Sequence, residues 1–116
     1  MLVQLVTDNH IEGRAKMAEW VEAEVTGTLD RYADQITRVE VHFADENSHK
    51  SGQVDKRCTV ECRLAGLDPL AATEHAGGLD EALEGALAKL LAVLDHKLGR
   101  LREHKGRTSY GGEPTE

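Results

Sequence analysis

Between Leu79 and Gly106 the apolar residues Leu79, Leu83, Ala86, Leu90, Val93, Leu94, Leu98 and Leu101 recur every three or four positions. That is the period of one face of an α-helix. Asp80 and Glu81 stand in the first turn, where the positive end of the helix dipole favours acids. Basic residues fill the last turns, and Gly106 is placed for a left-handed cap. A helix of about 27 residues at ~1.5 Å per residue is roughly 40 Å long. Strands of about eight residues at ~3.3 Å reach only ~26 Å, so one end of this helix is expected to overhang any sheet the chain can build. The overhanging end is basic: Lys97, Arg100, Arg102, His104, Lys105 and Arg107 face only Glu103.

The remaining periods alternate between helix and strand. Leu2 to Thr7 is a short apolar and β-branched run that reads as a strand, followed by the turn residues Asp8, Asn9 and His10. From about Gly13 to Tyr32, Met17, Ala18, Val21, Val25, Leu29 and Tyr32 again follow the helical period. Trp20 lies off the centre of that face and is either a flank packed on a neighbouring loop or an exposed aromatic contact. From Ile36 to Ala44 the period drops to two, with Val39, Val41 and Phe43 alternating with Arg38, Glu40 and His42. The polar segment Asp45 to Gly52 is expected to be a mobile hairpin tip. Lys56 to Ala65 is a second alternating strand, with Cys58, Val60, Cys62 and Leu64 inward and Arg57, Thr59, Glu61 and Arg63 toward solvent. Gly66 to Pro69 makes a turn, Leu70 to Glu74 a short edge strand, and Gly77-Gly78 breaks the chain before the long helix. The order is therefore β-α-β-β-β-α, an α+β fold with a four-stranded mixed sheet and two helices packed on one face. The β-α-β start requires a right-handed crossover and a parallel first pair, and the polar outer face explains the clean alternation. Residues 1–107 are expected to form one domain and 108–116 a flexible tail.

Two cysteines four apart on one strand have Cα atoms ~13 Å apart, too far for a disulfide. Cys58 and Cys62 are expected to be buried, reduced thiols. With no long apolar run and no N-terminal signal pattern, the expectation is a cytosolic protein that does not enter a membrane. The net charge of −7 argues against nucleic acid when taken whole. Its distribution reverses the argument at one end, because residues 89–107 hold six basic side chains against two acidic ones, whereas residues 66–88 hold five acidic and none basic. A solvated helix terminus would carry the same pattern, so charge alone leaves both readings open.

No catalytic constellation emerges. His10, His42, His49, His75, His96 and His104 are scattered, and none has a nucleophile or paired carboxylate at a spacing that unites them. Gly77-Gly78 lacks the Lys-Ser/Thr of a phosphate-binding loop, and no CxxC, HxxH or HExxH spacing offers a metal site. The chain is not expected to be an enzyme, and no cofactor or metal is implied.

The elements together resemble the short ribosome hibernation-promoting factors, the family that includes the ribosome-associated translation inhibitor and was formerly described as sigma-54 modulation proteins. The resemblance lies in Asn9-His10-Ile11-Glu12 and in the helical set Met17, Val21, Val25, Leu29 and Tyr32. It continues through Ile36-Thr37-Arg38-Val39-Glu40-Val41-His42, the strand opening Lys56-Arg57-Cys58, and the helix end from Leu98 to Lys105, and so spans residues 1–107. It implies a non-enzymatic, cytoplasmic bacterial protein that binds the small ribosomal subunit in the channel of mRNA and tRNA and inhibits translation in stationary phase or stress. Ribosomal proteins could share that contact with rRNA. Contacts of basic side chains with rRNA phosphates would position the protein without reading bases. The positions carried over are Lys97, Arg100, Arg102 and Lys105 at the end of the long helix, with Lys89 and His96 on the same flank as Arg100. Lys50, Lys56, Arg57 and Arg63 come from the central hairpin. The acidic first helix and the longer, acid-bearing loop depart from the family pattern, which places the contact at the far end of the long helix. The extra C-terminal dimerisation domain of the long forms has no counterpart here, so a monomer is expected and ribosome pairing would need another factor. A different reading is an acidic protein-interaction module that docks a partner through Trp20 and Glu19, Glu22 and Glu24, without rRNA.

Overall fold

The structure is a computed structural model that describes residues 1–7, 14–45 and 56–106, including side chains except those of Arg14 and residues 100–106. The expected hairpin tip beyond Asp45, the turn at Asp8 to His10 and the tail from Thr108 lie outside the described residues. The elements are β1 (Leu2–Thr7), α1 (Arg14–Leu29) with a 3-10 turn at Asp30–Tyr32, β2 (Ile36–Asp45), β3 (Lys56–Leu64), β4 (Leu70–Ala76) and α2 (Leu79–Gly106). They form one four-stranded sheet in the order β1-β2-β3-β4. β1 pairs parallel with β2, and the other neighbours pair antiparallel. The β-α-β-β-β-α order and the α+β fold are those expected from the periods.

Period two decides which side of the sheet is covered. Val39, Val41 and Phe43 of β2 stand opposite Cys62, Val60 and Cys58 of β3. All six are buried beneath the helices. From α1 come Val21, Val25 and Leu29, and from the 3-10 turn Tyr32; from α2 come Ala82, Leu83, Ala86, Leu87, Leu90, Leu94 and Leu98. α1 packs over β1, α2 over β3 and β4, and the helices touch each other. Burying each of these leucines is worth roughly 1.5–3 kcal/mol, so α2 supplies much of the drive for folding. The last inward residue described on α2 is Leu98. Val93, which the period assigns to the inner face, is 39% exposed instead. The buried line runs through Leu83, Leu87, Leu90, Leu94 and Leu98, and Val93 falls on its flank.

Trp20 is settled in favour of packing, on a strand rather than a loop. Its ring is stacked on Phe43, with centroids 6.3 Å apart and planes 7° from parallel. Both cysteines are free and buried. Burial pushes the Cys58 thiol up to about 12 and that of Cys62 up to about 11. The register of β2 on β3 shifts between Ile36 and Arg38, and the Thr37 hydroxyl donates to the Arg63 carbonyl at 3.1 Å. After β3 the chain turns at Gly66, whose φ of +76° suits glycine. β4 continues to Ala76, two residues beyond the expected end, because His75 and Ala76 pair with Arg57 and Lys56. Among the described residues no helix is long and apolar enough to cross a membrane.

Candidate nucleic-acid interface

The expected cations fall into two sets, one on α2 and one on the sheet. Along α2, positions 89, 96 and 100 lie within about 20° of a single line on the helix surface, since eleven residues nearly complete three turns. Lys97 adjoins that line, and both His96 and Lys97 are exposed. Arg100, Arg102 and Lys105 continue the same helix. Their side chains lie outside the described ones, and Lys50 lies outside the described residues altogether. On the sheet, Arg57 and Arg63 share the open face of β3, six residues or roughly 20 Å apart. Lys56 has the opposite parity and sits at the helix-facing start of the strand, opposite Asp45.

Among the described side chains, Lys56, Arg63 and Lys89 each have a carboxylate beside them. Lys56 Nζ lies 3.4 Å from Asp45 Oδ2, and an Arg63 guanidinium nitrogen lies 3.8 Å from Glu61 Oε2. Lys89 reaches from α2 over the edge of β4, with Nζ 2.7 Å from Glu74 Oε1, and donates to the Thr73 carbonyl at 3.1 Å. Such solvent-accessible pairs are worth roughly 0–1 kcal/mol, so a phosphate can compete for the cation, but the local field is weaker than the residue list suggests. Asp95, the acid of the basic half of α2 whose side chain is described, is differently engaged. Asp95 accepts from the Tyr32 hydroxyl, and Arg31 lies 3.5 Å from the same carboxylate oxygen. This carboxylate is held toward the 3-10 turn.

Another polar cluster occupies the middle of the open sheet face. Glu40 Oε2 accepts from the Arg38 guanidinium, and its Oε1 lies 3.2 Å from His42 Nε2. Hydrogen bonds from Arg38 and then His42 hold the Glu40 carboxyl below its ordinary value, against the opposing effect of burial. Glu61 stands directly opposite Glu40 in the β2–β3 register. Glu40, His42 and Glu61 each bring a ligand atom within 4.8 Å of the others. The alternation Glu40-x-His42 was visible in the sequence, but the third group arrives only through strand register. Motif spacing along the chain therefore could not reveal it.

Residues 5–106 match the model of a family described as Sigma 54 modulation protein / S30EA ribosomal protein. No curated protein matches the chain significantly. Among solved structures, the N-terminal domain of Thermus thermophilus Protein Y is similar at 20% identity and a TM-score of 0.65, over 83% of this chain and 98% of that one. A ribosomal subunit interface protein from Coxiella burnetii is similar at 15% identity and a TM-score of 0.62, over 85% and 99% of the two chains. At these identities the structures speak for the fold, whereas the family match extends over nearly the whole chain. On that match, the chain belongs to the Sigma 54 modulation protein / S30EA ribosomal protein family.

Proposed function

We propose that this protein is a cytoplasmic, non-enzymatic ribosome-associated factor that binds the small ribosomal subunit through rRNA phosphates and inhibits translation during stationary phase or stress. The observation that carries the reading is the family match over residues 5–106. Charge polarity supports it: six basic against two acidic side chains lie in residues 89–107 of a chain whose net charge is −7. The proposed contact is led by Lys97, Arg100, Arg102 and Lys105 on α2. His96, Lys89 and the hairpin residues Lys50, Lys56, Arg57 and Arg63 flank it. Because Lys56, Arg63 and Lys89 already have acidic neighbours, a phosphate must compete with a carboxylate for each of them. A site in the channel of mRNA and tRNA follows from the family reading and would leave no room for translation to proceed.

Against the competing protein-docking module stands the packing of Trp20, which is half-buried and stacked on Phe43. Co-sedimentation with purified small subunits distinguishes the two. Wild-type protein is expected to pellet with the subunits, and Arg100→Glu combined with Lys105→Glu is expected to release it. Undiminished pelleting of the double variant would remove the α2 end from the interface. In a sucrose gradient of cell extract, the protein should shift into ribosomal fractions on starvation.

A further inference from the structure

We propose that Glu40, His42 and Glu61 form a binding site for a divalent transition-metal ion of the zinc class on the open face of the sheet. The three residues bring one imidazole nitrogen and two carboxylate oxygens within 4.8 Å of one another. A four-coordinate ion with bonds of about 2.0–2.1 Å has its ligand atoms about 3.3–3.4 Å apart. His42 Nε2 and Glu40 Oε1 already stand at 3.2 Å. The Glu61 carboxylate has only to close the remaining gap. Its position is fixed by the ladder, which sets it directly across from Glu40. Two carboxylates facing each other across a strand pair repel, and a shared cation removes that repulsion.

The arginines beside the cluster leave it open to an ion. Arg38 holds Oε2 of Glu40, so Oε1 stays turned toward His42. Arg63 is nearest to Oε2 of Glu61 at 3.8 Å. Guanidinium groups placed in this way orient the carboxylates from outside, as outer-shell partners do around bound metals. They also offset the negative charge, so the site binds more weakly than a structural site with four protein ligands. The donor set favours a borderline ion that accepts imidazole over Mg²⁺ or Ca²⁺, which select oxygen, and three protein ligands leave a position for water. Glu40 is only 15% exposed at its side chain, against 42% for His42, so the site is a shallow seat opening at the imidazole.

The test is calorimetric titration of the untagged, chelator-treated full chain with Zn²⁺. One equivalent is expected to bind, with affinity at least about ten-fold weaker in His42→Asn and in Glu61→Gln, the loss that outer-shell changes alone can produce. His75→Asn should bind Zn²⁺ as wild type does. Equal affinity in wild type, His42→Asn and Glu61→Gln, or no stoichiometric binding to wild type, would overturn the assignment. Circular dichroism checks the variants for folding. Co²⁺ added to ¹⁵N-labelled wild-type protein gives a readout that needs no variant: amide signals of residues 40–42 and 60–62 should broaden first, and broadening centred elsewhere would overturn the proposal.

Discussion

Replacing Gly85 by alanine probes how closely α2 lies against the sheet edge. A β-carbon on Gly85 would stand 2.5 Å from Glu74 Cγ, 2.9 Å from Cδ and 3.3 Å from Cβ. Carbon atoms settle at about 3.5–4.0 Å, so the Glu74 side chain would have to swing aside. That movement costs about 0.5–1.5 kcal/mol in side-chain conformation. It also breaks the 2.7 Å pair with Lys89, an exposed contact worth about 0.2–1 kcal/mol. Against these losses, alanine is about 1 kcal/mol better than glycine inside a helix. In wild type the effects partly cancel, and the expected net runs from about 0.3 kcal/mol stabilising to about 1.5 kcal/mol destabilising. In a Glu74→Ala background Cγ and Cδ are gone and the 3.3 Å contact with Cβ alone remains, so the same substitution should stabilise by about 0.5–1 kcal/mol. The expected coupling of about 1–2 kcal/mol is in the range for residues in contact. Urea unfolding can be followed by the fluorescence of Trp20, the single tryptophan of the chain. Equal effects of Gly85→Ala in both backgrounds would refute the claim that Glu74 is what requires glycine there.

Further expectations come from the buried thiols, the open sheet face and the core. With their thiols pushed up to about 12 and about 11, Cys58 and Cys62 should resist a disulfide reagent at pH 8 in the folded protein and both react in urea. Rapid labelling of the folded chain would contradict their burial. Glu40 is depressed in the folded state from an ordinary value of 4.5, so its stabilising effect is fully present above that pH and is lost as pH falls through the lower folded value. Glu40→Gln should therefore flatten the loss of stability on acidification below pH 4.5, and an unchanged acid limb would speak against the Arg38 and His42 contacts. Leu90→Ala removes a fully buried side chain and should cost about 2–5 kcal/mol in urea unfolding, whereas Val93→Ala should cost under about 1 kcal/mol. Similar costs would mean that the two positions share an environment.

The fold was legible because one-sided burial writes its period into the chain. The bounds of α2, the inward set of β3 and the polar open face all follow from spacing, and each stands where spacing puts it. Val93 and Leu87 show the limit of that method: both lie near the edge of the apolar stripe, and only the docked helix decides that Leu87 is covered. Trp20 likewise needed its partner, Phe43, which comes from a different element. In the candidate interface the cations could be listed from the sequence, but their neutralising neighbours mostly could not. Glu74 meets Lys89 only because α2 lies along β4, and Asp45 meets Lys56 only through register. The Glu61–Arg63 proximity was the exception, since two residues apart on one strand means one face.

The account rests on an acidic protein meeting RNA through a basic helix end, and salt tests this most directly. Binding of the wild-type chain to isolated small ribosomal subunits should weaken linearly on a logarithmic salt scale. Four phosphate contacts by Lys97, Arg100, Arg102 and Lys105 give a slope of about −3. Arg100→Glu combined with Lys105→Glu should lower both the affinity and the slope. An affinity indifferent to salt, or a slope that the double variant leaves unchanged, would contradict the account.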